Sequence, residues 1–110
     1  MGMDVYGRDP TGESGEYFRC NMSAWTDLAN LVISLCPDET DACKDWYTND
    51  GDGLDAGGAR ALAEALTEHI QTGRVREYIT QKSAQEQSYF EENVREFTDF
   101  LHESGGFRIW

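Results

Sequence analysis

The sequence predicts an α+β fold: a small antiparallel sheet, with its N- and C-terminal strands paired, covered by three to four helices. Three observations predict it. Short extended segments stand at both ends of the chain, at residues 3–7 and 107–110. Apolar residues recur at helical spacing through the middle. Clusters of Gly, Asp and Pro separate the periodic segments.

Residues 3–7 alternate, with Met3 and Val5 on one side and Asp4 and Tyr6 on the other, which is the period of a strand. Pro10, Gly12 and Gly15 make 8–15 a loop, and 16–19 reads as a second short extended piece. Ser23 is placed as an N-cap, with Asp27 in the following turn. Trp25, Leu28, Val32 and Leu35 then form a helical stripe that ends before Pro37. Residues 38–45 read as an acidic connection, and 44–48, with Trp46 and Tyr47, as a short strand or buried loop.

The run Asn49-Asp50-Gly51-Asp52-Gly53 is the strongest turn signal in the chain, because Gly permits positive φ and Asn and Asp bond to nearby backbone. Asp55 is placed as the N-cap of a helix whose stripe is Ala59, Leu62, Ala63, Leu66 and Ile70 and which Gly73 closes. A second helical segment follows, with Val75, Tyr78 and Ile79 as its apolar side, and the polar stretch 82–88 reads as a connection or a frayed helix end. The last helix carries Phe90, Val94, Phe97 and Leu101; Ser88 and Glu91 fit a capping box, with Tyr89 and Phe90 before the helix as the alternative. Gly105-Gly106 is a C-cap, and Phe107 to Trp110 forms the closing strand.

A chain of 110 residues is one domain, residues 1–110, with a modest core. It holds 21 acids and 9 bases, a formal charge of −12. Such a balance repels nucleic acid and anionic membranes and attracts basic surfaces; its plainer meaning is solubility. The nine bases are scattered, with only Arg74 and Arg76 close together, so no basic stripe for direct nucleic-acid binding is readable. No stretch has the length and apolarity of a membrane span, and Met1-Gly2-Met3-Asp4 lacks a basic region and an apolar run. Three cysteines, Cys20, Cys36 and Cys43, suit a reducing cytoplasm and buried free thiols, although Cys36 and Cys43 can also pair across a short loop.

Among candidate chemistries, the acidic loop 49–55 comes first. An EF-hand needs oxygen ligands at positions 1, 3 and 5, Gly at 6 and Glu at 12. With Gly53 at position 6, Asp50 and Asp52 take 3 and 5, but Thr48 falls at 1 and Ala59 at 12. Asp50, Asp52 and Asp55 are the metal candidates for a small calcium-binding domain, set against a tight turn leading into a helix. His69 and His102 stand near helix ends, where they suit the dipole, without zinc-type spacing. No nucleophile motif or Walker loop is present, so the expectation is a protein that is not an enzyme and uses no cofactor.

The stretches MGMDVYGRDPTGESGEYFR, NDGDGLD and ENVREFTDFLHESGGFRIW resemble a family of uncharacterised bacterial and phage proteins. Its members open with an MG-DVYG and GEYFR block, carry NDGDGLD and close with ENVREF and SGGF. The chain departs from that pattern in Cys20-Asn21-Met22-Ser23-Ala24-Trp25, where members often carry aromatic residues. It departs again in the short, cysteine-free stretch 81–88, where longer members have a cysteine-paired insertion that looks like a zinc site. The resemblance implies a phage or mobile-element context in a bacterial cytoplasm, without zinc binding here.

Charge, size and resemblance together predict a non-catalytic, anti-CRISPR-like or DNA-mimicking inhibitor. It would occupy the basic protein surface of a host nucleic-acid-handling complex, such as a CRISPR effector or restriction system. The candidate contact acids are Asp38, Glu39, Asp41, Asp45, Glu91, Glu92, Glu96, Asp99 and Glu103, each of which also fits an ordinary solvated face. An accessory structural phage protein, working as an oligomer through exposed Trp25, Trp46 or Trp110, is the third expectation.

Overall fold

The computed structural model describes residues 2–48, 50–82 and 87–110. Four strands form one antiparallel sheet: β1 (Gly2–Gly7), β2 (Tyr17–Asn21), β3 (Gly53–Leu54) and β4 (Phe107–Ile109), in the order β2-β1-β4-β3. The fold is α+β with the terminal strands paired, Val5 opposite Ile109 and Gly7 opposite Phe107. β1 also pairs with β2, Met3 opposite Cys20 and Val5 opposite Phe18. Alternation along the strands buries Met3, Val5, Phe18, Cys20, Phe107 and Ile109 on one side. Asp4, Tyr6, Arg19 and Arg108 face the other.

The helices are α1 (Met22–Leu35), α2 (Pro37–Thr40), α3 (Ala56–Gln71), α4 (Arg74–Lys82) and α5 (Gln87–Ser104), with a 3-10 turn at Glu13–Gly15. α5 packs against α1, α3, α4, β1 and β2, so it is the central helix of the covering layer. Trp25 and Trp46 stack at 6.1 Å in the core, and Phe97 meets Trp25 edge-on at 5.7 Å. The buried indoles keep their N–H groups satisfied: Trp25 Nε1 donates to the Trp46 carbonyl at 2.6 Å and Trp46 Nε1 to the Thr40 carbonyl at 3.2 Å.

Several boundaries differ from the sequence-based expectation. Asn21, not Ser23, caps α1, accepting from the Ala24 amide at 2.8 Å. The acidic connection begins with the short helix α2, which Pro37 opens because its missing N–H is not needed in the first turn. Residues 44–48 form a loop that buries Trp46. β3 was not anticipated, since two residues carry no period. Ser88, Tyr89 and Phe90 lie inside α5, so Ser88 and Glu91 form no capping box. Of the connection placed at 82–88, Lys82 ends α4 and Gln87 begins α5, while 83–86 lie outside the described residues, as does Asn49 of the acidic turn.

The C-terminal end of α5 is closed by the loop after β1. The amides of Arg8, Asp9 and Thr11 donate to the carbonyls of Gly106, Ser104 and Glu103 at 2.8, 3.0 and 2.8 Å. Gly15 makes this approach possible, because a Cβ there would sit 2.0 Å from the Glu103 carbonyl oxygen. Gly105 and Gly106 reverse the chain into β4 at φ of 64° and 97°, a region that disfavours any side chain.

Candidate functional site

The acids divide by what their carboxylates touch. α5 turns Phe90, Val94, Phe97 and Leu101 inward, together with Asn93, Thr98, Phe100 and Ser104. That leaves Glu92, Glu96, Asp99 and Glu103 on the outer side, at steps of four, three and four residues. Such steps put all four on one line of the helix, spanning roughly 16 Å at 1.5 Å per residue. Glu92, Glu96 and Asp99 are exposed, and Glu103 is half-buried against Gly12. Among the described residues, no cation lies within ion-pair distance of these four.

Glu91 departs from its expected role as a contact acid. It is half-buried and accepts from Arg76 Nη2 at 3.0 Å and Arg95 Nη2 at 3.2 Å, tying α4 to α5. Those hydrogen bonds, Arg76 first, hold its carboxyl below the usual carboxylate range, and the same contact raises Arg76. The remaining contact candidates lie on α2 and the loop after it, and α2 packs on α1 and α3. Asp38 and Asp41 are exposed, and Asp41 stands 3.9 Å from Lys44. Glu39 and Asp45 are half-buried. These four stand on chain elements separate from the α5 line.

In the acidic loop, two of the three carboxylates, those of Asp52 and Asp55, serve the backbone. Asp52 Oδ2 accepts from the amides of Lys44 and Asp45, each at 3.0 Å, and Oδ1 from Gly53 at 2.8 Å. Asp55 caps α3 as expected, accepting from Gly58 at 2.8 Å. Asp50 is exposed. Among the described residues, no three His, Cys, Asp or Glu side chains gather as a metal ion would require. His102 sits in the last turn of α5, 3.1 Å from Thr67 Oγ1, and His69 in the last turn of α3, so both occupy helix ends.

All three cysteines are buried free thiols, Cys36 and Cys43 included. Burial pushes Cys20 and Cys43 up to about 11, and burial aided by Glu39 pushes Cys36 up to about 12. They are protonated near neutral pH and poor nucleophiles. Trp25 and Trp46 are core residues, so of the three tryptophans only Trp110 offers surface, at 48% exposure.

Sequence reasoning missed the open face of the sheet. Tyr6 and Tyr17, each 45% exposed, stand opposite one another with ring centroids 5.1 Å apart. Arg108 lies opposite Tyr6 on the other side. Asp4, the acid between them and Trp110, is answered by Arg19 at 3.3 Å and by the Tyr17 hydroxyl, whose pKa that hydrogen bond raises. Tyr6, Gly7, Arg8, Arg108 and Trp110 line a shallow groove of about 320 Å³. The signal was present in the outward positions of the terminal strands, but only their pairing joins them into one surface.

Compared with known proteins, the chain matches no family model, no curated protein and no solved structure. Among the described residues, no helix is long and apolar enough to cross a membrane. Fold and site define an α+β domain whose central helix presents an acidic line with no ion-pair partner among the described residues.

Proposed function

We propose that the protein is a non-catalytic binding protein that uses the outer line of α5 to occupy a basic protein surface. The observation that carries this reading is the alignment of Glu92, Glu96, Asp99 and Glu103 on one helix face with no ion-pair partner among the described residues. Glu103 lies in the last turn, where negative charge opposes the helix dipole, so its presence does not serve helix stability. A rigid helix holds the four charges at fixed spacing, and a net charge of −12 steers them toward a basic partner.

A basic surface that normally carries nucleic acid fits these charges best, because an array of carboxylates can lie where phosphates would. The proposed target is a nucleic-acid-handling complex of a bacterial host, of the CRISPR-effector or restriction kind, met in a phage or mobile-element setting. Asp38, Glu39, Asp41 and Asp45 form a secondary patch in this reading. Tagged protein exposed to a bacterial lysate should retain a basic nucleic-acid-binding complex at low salt and release it at high salt, with the bound proteins identified by mass spectrometry. Retention of a partner without salt dependence would defeat charge mimicry even though binding stood.

A further inference from the structure

We propose that the groove on the open face of the sheet binds a small planar anion of the nucleoside-phosphate class, its base against Trp110 and Tyr6 and its phosphate held by Arg8 and Arg108. In a chain with 21 acids and 9 bases, Arg19, Lys44, Arg76 and Arg95 all stand beside carboxylates. Arg8 and Arg108, like Arg60 and Arg74, have no ion-pair partner among the described residues, and of these four only Arg8 and Arg108 are exposed beside the groove. Two free guanidiniums provide forked donors matched to phosphate oxygens.

The aromatic side of the groove is braced for stacking. The Trp110 amide donates to the Asp4 carbonyl at 2.7 Å, fixing the residue beside β1. The indole rests on Gly51, where a Cβ would come within 2.7 Å of the ring, so one face is supported by backbone. Tyr6 supplies the second ring. Asp4, on the same face, is already answered by Arg19 and Tyr17, and the two charged side chains that line the groove are both basic. A volume of about 320 Å³ lies at the lower end of small-molecule sites.

The net charge of −12 selects the size of the ligand. A long strand brings one charge for about every 3.4 Å and meets the acidic helices as well as the groove, whereas a single nucleotide meets only the groove, with the more distant acids screened over roughly 8 Å. The groove shares no lining residue with the acidic line on α5.

Tryptophan fluorescence tests the proposal directly, because Trp25 and Trp46 are 0% and 3% exposed and Trp110 is 48% exposed. Adenosine monophosphate should quench the exposed emission to saturation, and both adenosine and inorganic phosphate should bind at least about tenfold more weakly, since each lacks one half of the recognition. The Arg8→Gln/Arg108→Gln double variant, altered only at exposed side chains, should melt like the parent and weaken adenosine monophosphate by roughly tenfold or more. Quenching that rises linearly without saturation would overturn the proposal, as would equal affinity for adenosine and its monophosphate in the unaltered protein. A tetraglutamate peptide that binds as tightly as the nucleotide would overturn it in favour of an acidic-peptide site.

Discussion

Three carboxylates fall within the six residues from Asp50 to Asp55, and four outward carboxylates spread over the twelve residues from Glu92 to Glu103. In the first region the acids are mixed with glycines, and the chain turns so tightly that amides would be left without partners. Asp52 and Asp55 answer four amides in and around the turn, those of Lys44, Asp45, Gly53 and Gly58. In the second region the helix satisfies its own backbone, so the carboxylates have nothing internal to do. Equal acidity in sequence therefore means opposite things: fold stability in the loop and availability to a partner on the helix.

The sharpest way to break this comparison is to remove Asp52. Asp52→Ala orphans three amides and should cost about 2–3 kcal/mol, lowering the melting temperature by roughly 10 °C or more. A melt within a degree or two of the parent would mean that the loop carboxylate is not structural. Next in size, Asp55→Ala removes the α3 cap and should cost about 1 kcal/mol by denaturant titration. If the loop acids are already committed to backbone, millimolar calcium should leave the thermal melt where it was; a clear rise would show a bound ion by linkage.

Glu91→Gln is a smaller test, within about 1 kcal/mol, because the arginines beside it are exposed. Its pH dependence has a definite sign. Arg76 and Arg95 lower the carboxyl pKa in the fold, so the ionised group stabilises the protein above the ordinary glutamate value of about 4.3. That contribution is lost as pH falls through the lowered value. Parent and variant melts should differ at neutral pH and converge in acid. The smallest effect on stability belongs to the outer line: changing Glu92, Glu96 and Glu103 to Gln and Asp99 to Asn should move stability by no more than about 0.5 kcal/mol per site. Loss of the charge near the α5 C-terminus should make the Glu103 change slightly stabilising.

The legible parts of the fold were those with a strong period or a chemically demanding turn. Met3 and Val5 alternate with Asp4 and Tyr6 because the sheet has one buried side, and the α3 and α5 stripes follow from a single helical face against a core. Asp55 and Gly105-Gly106 were readable because a helix end needs a cap and a reversal. α2 was hidden by its length and its charges, and β3 by having only two residues. The α1 cap fell at Asn21 because β2 runs directly into the helix, leaving no loop in which Ser23 could cap.

The same limit applies to the site. The 92, 96, 99, 103 spacing was in the sequence, and so was the Glu91–Arg95 pairing four residues apart. What local spacing cannot carry is Arg76 reaching Glu91 from α4, or Tyr6, Arg108 and Trp110 meeting across β1 and β4. The first contact exists only once α4 packs on α5, and the second only once the terminal strands pair.

The most direct test of the central claim is a paired affinity measurement on the captured basic partner, comparing the four-site amide variant of α5 with Asp50→Asn in the loop. If the α5 line is the binding surface, the helix variant should lose roughly thirtyfold or more in affinity at low salt while melting like the parent, and the loop variant should bind as the parent does. Equal affinity for the helix variant and the parent would contradict the account.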